Sequence, residues 1–415
     1  MKNVVILTHG SYSHNKAIIP VIKELKKRDI DVYVFIEEEV SENYIKENIE
    51  FILYPKEIKE YIENNIIYDS NEEIESEFSD TNENMIYKYL YNMARYNIET
   101  NNAYTKYLVD IIDRIEPDLI IRDTCSFFGK TIGNILDIKV VGYICNFVFE
   151  RDNIFENYIE DFAQAWGINL NLIGKEKFIK IFDKVEFKIN DIYNNKNIAS
   201  FNLQYMLEPK EDLNLVFSSQ KLHPEVSTKS YRIVKYSLFS NDESINKNKK
   251  IIYVSTGSMQ YANINFYLNI IAAFKDSEYK VIISHKNPNE LTDGFDIPDN
   301  IIIKKFVDQK SILKEASLFI SHGGYNSICE AIYYEVPLIV YPLSRDQFLN
   351  ASIVDKNGIG IDARRFIFNN KNINKIANIL LNNDMIKNNI SNIKNDFYNN
   401  SDNIEAFVDY IVSIY

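Results

Sequence analysis

The sequence predicts an α/β fold made of two doubly wound domains. Short apolar runs alternate with longer amphipathic segments through both halves of the chain, a pattern typical of parallel sheets whose strands are joined by helices. A polar stretch without apolar periodicity, residues 241–250, separates the halves. The length of 415 residues and the 46% hydrophobic content suit two domains of about 200 residues each.

Eight apolar runs are predicted as strands, four on each side of residues 241–250. In the first half they are residues 4–8, 32–36, 119–121 and 140–143, and in the second half 251–255, 280–283, 318–320 and 338–341. Between them, Ile18, Ile19, Ile22 and Leu25 form the apolar face of a first helix, and residues 85–115 form a long helix. Each half therefore supplies strands for one sheet.

Charge and cysteine content exclude several classes of protein. The formal net charge is −13, with 59 acidic against 46 basic residues, so we expect neither a nucleic-acid partner nor a basic membrane-docking face. The three cysteines have no paired spacing and indicate neither a disulfide framework nor a zinc site. No apolar stretch approaches the ~20 residues that span a bilayer. We expect a cytoplasmic protein without an integral membrane segment.

A phosphate-binding turn is predicted where the run 318–321 meets His322-Gly323-Gly324. Glycines allow the backbone to approach a ligand, and the free N–H groups of a following helix favour an anion. His322, Asn326 and Glu330 recur at helical spacing on one face, with Ser327 beside them. The alternative is structural, because Ser327 to Glu330 also fits a capping box in an ordinary strand-to-helix connection.

The residues after this helix extend the predicted site. A proline-bracketed apolar run, residues 336–342, is followed by Asp346 and Gln347. Open α/β sheets bind ligands beyond the carboxyl ends of their strands, so we expect these two polar side chains beside the phosphate turn.

The segment 306–360 resembles the donor-binding signature of the UDP-glycosyltransferase superfamily, including bacterial natural-product enzymes of the macrolide type. Its motifs stand in the family's order: Phe306-Val307-Asp308-Gln309, His322-Gly323-Gly324, Asn326-Ser327, Glu330-Ala331, Val336-Pro337, Asp346-Gln347, Asn350-Ala351 and Gly358-Ile359-Gly360. The resemblance implies the GT-B fold, two Rossmann-like domains facing across a cleft.

By this resemblance, each donor-site residue has an expected role. Phe306 would stack on the nucleobase, Gln309 would lie near the nucleoside, and Glu330 would bind the ribose. The diphosphate would be held by His322, Gly324, Asn326 and Ser327, and the sugar hydroxyls by Asp346 and Gln347. Ser258 would face the donor from the loop after residues 251–254. Phe306 stands where the family usually has Trp and Asp308 where it usually has Pro. The sequence therefore leaves open whether the base is uracil or thymine.

The catalytic partner is predicted at the N-terminus. The stretch 13–34 resembles the family's first strand–loop–helix unit, and aligning its helix equates His14 with the catalytic base, with His9 as the competing choice. Asp123 matches the aspartate that orients this base. Without the family, Asp123 reads as a salt-bridge partner of Arg122 or as a helix cap before Phe127.

Two aromatic groups follow strands of the first half, and in similar enzymes these regions wall the acceptor pocket. They are Tyr87, Tyr89, Tyr91, Tyr96, Tyr104 and Tyr107, and then Phe147, Phe149, Phe155, Tyr158, Phe162 and Trp166. Most of them are expected in the core, and the remainder favour an apolar or aromatic acceptor.

The resulting hypothesis is an inverting transfer of a hexose, glucose first, from a UDP-sugar to an acceptor hydroxyl, with His14 as base and Asp123 as its partner. A nucleotide-sugar epimerase of the same fold and a lipid-linked sugar transferase are the alternatives. We expect no cofactor and no metal ion. Asp29-Ile30-Asp31 is rejected as a metal motif, because it lies at the sheet edge opposite the ligand.

The domain assignment completes the expectations. We expect an acceptor domain over residues 1–240, a linker over 241–250, a donor domain over 251–395, and a terminal helix, 396–415, that packs back on the first domain. A homodimer is left open.

Overall fold

The structure, a computed structural model, describes most of the chain. The described residues are 1–65, 78–193, 202–224, 226, 230–234, 250–257, 262–399 and 403–415.

The first half builds a sheet of seven parallel strands. They are β1 (Asn3–Leu7), β2 (Asp31–Ile36), β3 (Ile52–Leu53), β4 (Leu119–Asp123), β5 (Lys139–Ile144), β6 (Leu213–Phe217) and β7 (Tyr231–Val234). Their order across the sheet is β3-β2-β1-β4-β5-β6-β7. The helices around it are α1 (Tyr12–Lys26), α2 (Ser41–Lys46), α3 (Lys56–Asn65), α4 (Thr81–Asp113), α5 (Phe128–Leu136), α6 (Arg151–Asn153), α7 (Ile159–Ala165) and α8 (Lys175–Tyr193).

The second half builds a sheet of six parallel strands. They are β8 (Ile251–Ser255), β9 (Lys280–Ser284), β10 (Ile301–Lys304), β11 (Ala316–Ser321), β12 (Leu338–Val340) and β13 (Gly360–Asp362), in the order β10-β9-β8-β11-β12-β13. The helices are α9 (Ile264–Phe274), α10 (Asn289–Thr292), α11 (Gln309–Glu315), α12 (Tyr325–Tyr333), α13 (Gln347–Lys356), α14 (Asn370–Leu381), α15 (Asp384–Asn399) and α16 (Ile404–Ile414).

Both sheets reverse their strand order at their first strand. The chain winds outward from β1 through β2 to β3, then returns to place β4 on the other side of β1. It does the same around β8, with β9 and β10 on one side and β11 on the other. At such a switch point the loops after the two neighbouring strands diverge and leave a crevice. Each domain thus offers one crevice, after β1 and β4 and after β8 and β11.

Contacts tie the two halves together away from these crevices. The Tyr325 hydroxyl, at the start of α12, donates to the Phe217 carbonyl oxygen at the end of β6, 2.5 Å away. The Ser219 hydroxyl donates to Asp396 Oδ2 of α15 at 2.7 Å. These contacts join the end of one sheet to helices of the other domain.

The last helix, α16, lies on the first domain. Phe407 and Ile411 on its apolar face are fully buried, and Arg28, just after α1, reaches Asp409 Oδ1 at 2.7 Å and the Glu405 carbonyl oxygen at 3.3 Å. The first domain therefore covers the apolar face of this amphipathic helix.

The predicted fold class is confirmed, and all eight predicted strands coincide with strands of the structure. Five strands were not predicted: β3, β6, β7, β10 and β13. In the predicted linker, residues 241–249 lie outside the described residues. None of the helices in the described parts of the chain is long and apolar enough to cross a bilayer.

One charged side chain is fully enclosed at the end of β4. Arg122 has no exposed surface, and its guanidinium binds Glu211 Oε1 at 2.6 Å and donates to the carbonyl oxygens of Asp123, Thr124 and Pro209 at 3.0–3.1 Å. Each donor direction of the guanidinium meets an acceptor, so the buried charge is compensated. The loop before β6 is thereby fixed to the end of β4.

We expect Arg122→Met to lower the free energy of unfolding by about 3–5 kcal/mol, because it leaves the buried Glu211 carboxylate with Lys130, 3.4 Å away, as its remaining cation and removes the donors to three backbone oxygens. Lys23→Met is the control, since it removes an exposed ion pair with Glu47 worth ~0–1 kcal/mol. Urea unfolding followed by circular dichroism measures both. Equal small losses in the two variants would contradict the assigned role of Arg122.

Candidate active site

A histidine–aspartate pair occupies the crevice of the first domain. His14 lies in the first turn of α1, directly after the loop that follows β1, and Asp123 is the last residue of β4. His14 Nδ1 lies 2.8 Å from Asp123 Oδ2. The carboxylate side chain is fully buried, whereas the imidazole keeps 20% of its surface exposed. The carboxylate fixes the ring, and the other ring nitrogen is left for chemistry.

The electrostatics of the pair suit a base. Burial has the largest influence on the pKa of His14 and lowers it, but the charge of Asp123, its hydrogen bond and the charge of Asp346 together raise the pKa above its ordinary value. Burial would raise the pKa of Asp123, yet the imidazolium charge and the hydrogen bonds from His14 and the Cys125 N–H lower it to about 2. Asp123 is therefore ionised at neutral pH.

Asp123 adopts neither of its structural alternatives, a salt bridge with Arg122 or a helix cap before Phe127. The Arg122 side chain pairs with Glu211 and meets only the backbone oxygen of Asp123. Asp123 Oδ1 accepts the Cys125 N–H at 2.8 Å, a local turn before α5, and Phe127 receives no side-chain cap. The competing histidine, His9, is exposed, with its ring centre 5.8 Å from that of His14.

The predicted phosphate turn occupies the crevice of the second domain. Gly323 has a φ of +87°, and a Cβ there would lie 2.6 Å from Val340 Cγ1 of β12, so only glycine fits. Gly324 is the N-cap of α12 and supplies no side-chain cap. The capping-box alternative is not formed, because Ser327 Oγ instead accepts from Gln309 Nε2 at 3.3 Å. The turn thus places the positive end of the α12 dipole at this crevice, which favours an anion there.

His322 lies wedged between two glycine loops. A Cβ on Gly257, after β8, would lie 2.9 Å from its ring, and a Cβ on Gly324 would lie 2.6 Å from Nε2. Burial lowers the pKa of His322 to about 4, so the ring is neutral at physiological pH. It can offer a hydrogen bond to a phosphate, but no charge.

The predicted nucleoside side chains form one network beside α12. Gln309 Nε2 donates to Glu330 Oε2 at 2.7 Å and its Oε1 accepts from the Tyr253 hydroxyl at 3.3 Å. Burial raises the pKa of Glu330, against the hydrogen bond from Gln309. Phe306 stands nearby in the chain with 86% of its surface exposed. A buried carboxylate for a diol and an exposed aromatic face are thus both present.

The predicted sugar residues lie where the two crevices meet. Asp346 Oδ2 accepts from Asn350 Nδ2 and from Asn146 Nδ2, each at 3.0 Å. Asn146 follows β5 of the first domain, so the hydrogen bond crosses the cleft. Gln347 Oε1 accepts the backbone N–H groups of Leu343 and Ser344 and holds its own loop.

Some site residues were not predicted, and one predicted residue is not described. No local pattern in the sequence indicates a role for Asn146, because its partner Asp346 is 200 residues away. Cys125 was missed because it joins His9 and His14 only across neighbouring strands. Ser258 lies outside the described residues. Asn326, by contrast, occupies the first turn of α12 as expected.

Most of the predicted aromatic wall is core. In the second group Phe147, Phe149, Tyr158 and Phe162 are buried, and Tyr87 of the first group is buried as well. Tyr89 is 39% exposed. Five of the twelve rings are therefore buried, and five more are partly buried and pack against the core: Tyr91, Tyr104, Tyr107, Phe155 and Trp166.

Comparison with known proteins shows which sequences the chain resembles. Residues 238–398 match the family model described as UDP-glucoronosyl and UDP-glucosyl transferase. An uncharacterised UDP-glucosyltransferase of Bacillus subtilis, YojK, is 27% identical over 381 residues, covering 87% of this chain and 84% of that protein. The chain is thus similar to UDP-glycosyltransferases over most of its length. The B. subtilis NDP-glycosyltransferase YjiC is 30% identical to this enzyme over 253 residues, 59% of this chain and 60% of that protein.

Solved structures show the same GT-B fold. The calicheamicin glycosyltransferase CalG4 superposes on the enzyme with a TM-score of 0.73 at 16% identity, over 100% of this chain and 98% of that one. A glycotransferase of kitacinnamycin gives a TM-score of 0.72 at 15% identity, over 99% and 98%. At these identities the likeness establishes the fold alone, and the chemistry rests on the enzyme's own residues.

We expect Gly324→Ala to weaken binding of a nucleoside diphosphate by about tenfold or more, because the new Cβ overlaps His322 and overpacking shifts of this kind cost ~1–3 kcal/mol. Calorimetric titration with UDP measures the effect. The matched control is Gly10→Ala in the other domain, whose Cβ meets only the flexible Glu37 side chain, at 3.3 Å. Unchanged affinity in the Gly324 variant would contradict the site.

Proposed function

We propose that the enzyme transfers a hexose, glucose first among them, from a UDP-sugar to a hydroxyl of a small apolar or aromatic acceptor, with inversion at the anomeric carbon. The observation that carries the proposal is the His14–Asp123 pair, whose imidazole feels the charge of Asp346 across the cleft. A base and a sugar-binding carboxylate thus face one space. The UDP-glucosyltransferase names of its relatives support the choice of donor.

In this mechanism His14 acts as general base. Its Nδ1–H donates to Asp123 Oδ2, so Nε2 holds the lone pair that accepts the proton of the acceptor hydroxyl. The alkoxide-like oxygen attacks the anomeric carbon as the bond to the diphosphate breaks. Asp123 stays ionised and stabilises the imidazolium that forms. General-base assistance supplies ~10²–10⁴ of the rate.

The departing diphosphate is stabilised without a cation of the protein at the turn. His322 is neutral there, and the N-terminus of α12 faces the position that the resemblance gives to the phosphates. Backbone N–H groups and the helix dipole then oppose the developing negative charge. We propose that no metal ion or other cofactor is needed.

The donor is recognised by three groups of side chains. Phe306 stacks on the base, Glu330 accepts from the ribose hydroxyls, and Asp346 with Gln347 contacts the sugar. A thymidine diphosphate donor is the competing choice for the base, since a rhamnosyltransferase of spinosyn with the same fold was solved with thymidine diphosphate, at 14% identity and a TM-score of 0.64 over 99% of this chain and all of that one.

The acceptor is expected at the mouth of the first crevice. Tyr12, in the same first turn of α1 as His14, is 59% exposed and offers an aromatic face to an apolar ring. The buried phenylalanines behind β5 shape the core beneath.

The function is tested by assaying His14→Ala with UDP-glucose and a panel of phenolic acceptors in the presence of EDTA. We expect the wild type to form the β-glucoside and the variant to lose about 10²–10⁴ of kcat, while calorimetry shows unchanged UDP binding. His9→Ala is the matched control and should retain transfer. Loss in the His9 variant with full activity in the His14 variant would refute the assignment, and loss of wild-type activity in EDTA would refute the metal-free mechanism.

A second prediction concerns the pH profile. Because Asp123 raises the pKa of His14, the acid limb of wild-type activity should lie above the ordinary value of 6.5, and activity falls below it as His14 is protonated. In Asp123→Asn the burial that lowers the pKa is unopposed by the carboxylate, so the limb should move to lower pH as kcat falls. A lower kcat with an unmoved limb would mean that Asp123 acts only on structure.

The epimerase alternative predicts a different product. It needs the donor site without an acceptor, so incubation of the donor alone would yield an epimerised nucleotide sugar, detectable by NMR. The His14–Asp123 pair on the other side of the cleft favours transfer instead.

A further inference from the structure

Three potential metal ligands converge at the switch point of the first domain. His9 lies in the loop after β1, His14 in the first turn of α1, and Cys125 just after β4. One ligand atom of each, a ring nitrogen or the sulfur, lies within 4.8 Å of the other two. Small side-chain adjustments bring three atoms at such spacing onto one ion, because Zn–N and Zn–S bonds measure ~2.0–2.3 Å.

The surroundings of His14 are those of a metal ligand as well as of a base. Metal-binding histidines usually donate their second ring N–H to a carboxylate, which fixes the tautomer and raises the basicity of the ligating nitrogen. Asp123 Oδ2 occupies that position on Nδ1 at 2.8 Å. Its Oδ1 accepts the Cys125 N–H at 2.8 Å. The same carboxylate therefore orients two of the three ligands.

The chemistry of the ligands selects the ion. Two imidazoles and one thiolate suit Zn²⁺, whereas Mg²⁺ and Ca²⁺ prefer oxygen ligands. Three protein ligands leave a fourth position open to solvent. The sequence indicated no zinc site because the three residues share no motif spacing; the parallel pairing of β1 with β4 brings them together.

We propose that His9, His14 and Cys125 bind Zn²⁺ and that the bound ion inhibits transfer by occupying Nε2 of His14. The Cys125 S–H bond breaks as the S–Zn bond forms, and the proton passes to solvent; both imidazoles coordinate in their neutral forms. The inhibition, though not the binding, rests on the proposed role of His14 as base. Zinc and the acceptor hydroxyl compete for one lone pair.

Binding is tested first, with Co²⁺ as a spectroscopic probe of the metal-free enzyme. We expect a thiolate-to-cobalt charge-transfer band that saturates at one equivalent and disappears when Zn²⁺ is added. Cys125→Ser should abolish the band, and His9→Gln should weaken Co²⁺ binding by at least the ~10–100-fold typical of lost support around a metal. Cys329→Ala, which alters a buried cysteine of the other domain, should retain the band. Absence of the band in the wild type, or its persistence in Cys125→Ser, would overturn the site.

Inhibition is tested second, by Zn²⁺ titration of the transfer reaction. We expect the half-inhibitory concentration to rise at least tenfold in Cys125→Ser and His9→Gln relative to Cys329→Ala, each variant being compared with its own metal-free rate. Equal half-inhibitory zinc concentrations in the wild type and the three variants would overturn the proposal. A cobalt band without zinc inhibition would leave the metal site standing and overturn the role of His14 in transfer, so the two failures are distinguishable.

Discussion

The parallel pairing of one strand with neighbours on both sides is the constraint on which the site depends. β1 lies between β2 and β4, and β8 lies between β9 and β11. The loops that follow the two neighbouring strands at each switch point therefore run in opposite directions and leave a crevice between them. His14, in the first turn of α1, and Asp123, at the end of β4, lie at this point in one domain, and the glycine turn lies there in the other. Side chains far apart in sequence are therefore adjacent without any local motif that requires it.

The two crevices solve different electrostatic problems. In the first, a fully buried carboxylate is stabilised by an imidazole, a backbone N–H and the compact turn that follows β4. In the second, an incoming diphosphate must be held by a protein of net charge −13, and the histidine at the turn is neutral. The solution there is geometric: glycines at 323 and 324 let the turn pack closely against Val340 and His322, where a methyl group would collide with those side chains.

Much of the fold, and the positions of Asp123 and the glycine turn at strand ends, could be predicted from the sequence. An apolar run that stops at polar residues or glycines is a local pattern. The apolar run 119–121 stops at Arg122 and Asp123, and the run 318–321 stops at the glycines. The hydrogen-bond partners of these side chains could not be predicted. Arg122 pairs with Glu211 rather than with Asp123, and no motif near Asn146 indicates a partner in the other domain. Short or exposed strands such as β3 carry too few apolar residues to stand out. Contacts made across the cleft depend on how two domains are docked, which no periodicity encodes.

The hydrogen bond from Asn146 to Asp346 joins the two domains across the cleft. The Asp346 carboxylate has two amide partners on its Oδ2 atom, one from each domain. Under the proposed function, a sugar hydroxyl that binds Oδ2 replaces one of these amides, and the free energy gained there is the difference between two similar hydrogen bonds. A nucleoside diphosphate without its sugar makes no such demand. Under the proposed function, departure of the sugar would leave the Asn146–Asp346 hydrogen bond to hold the domains together, and reopening of the cleft would become a step that can govern turnover.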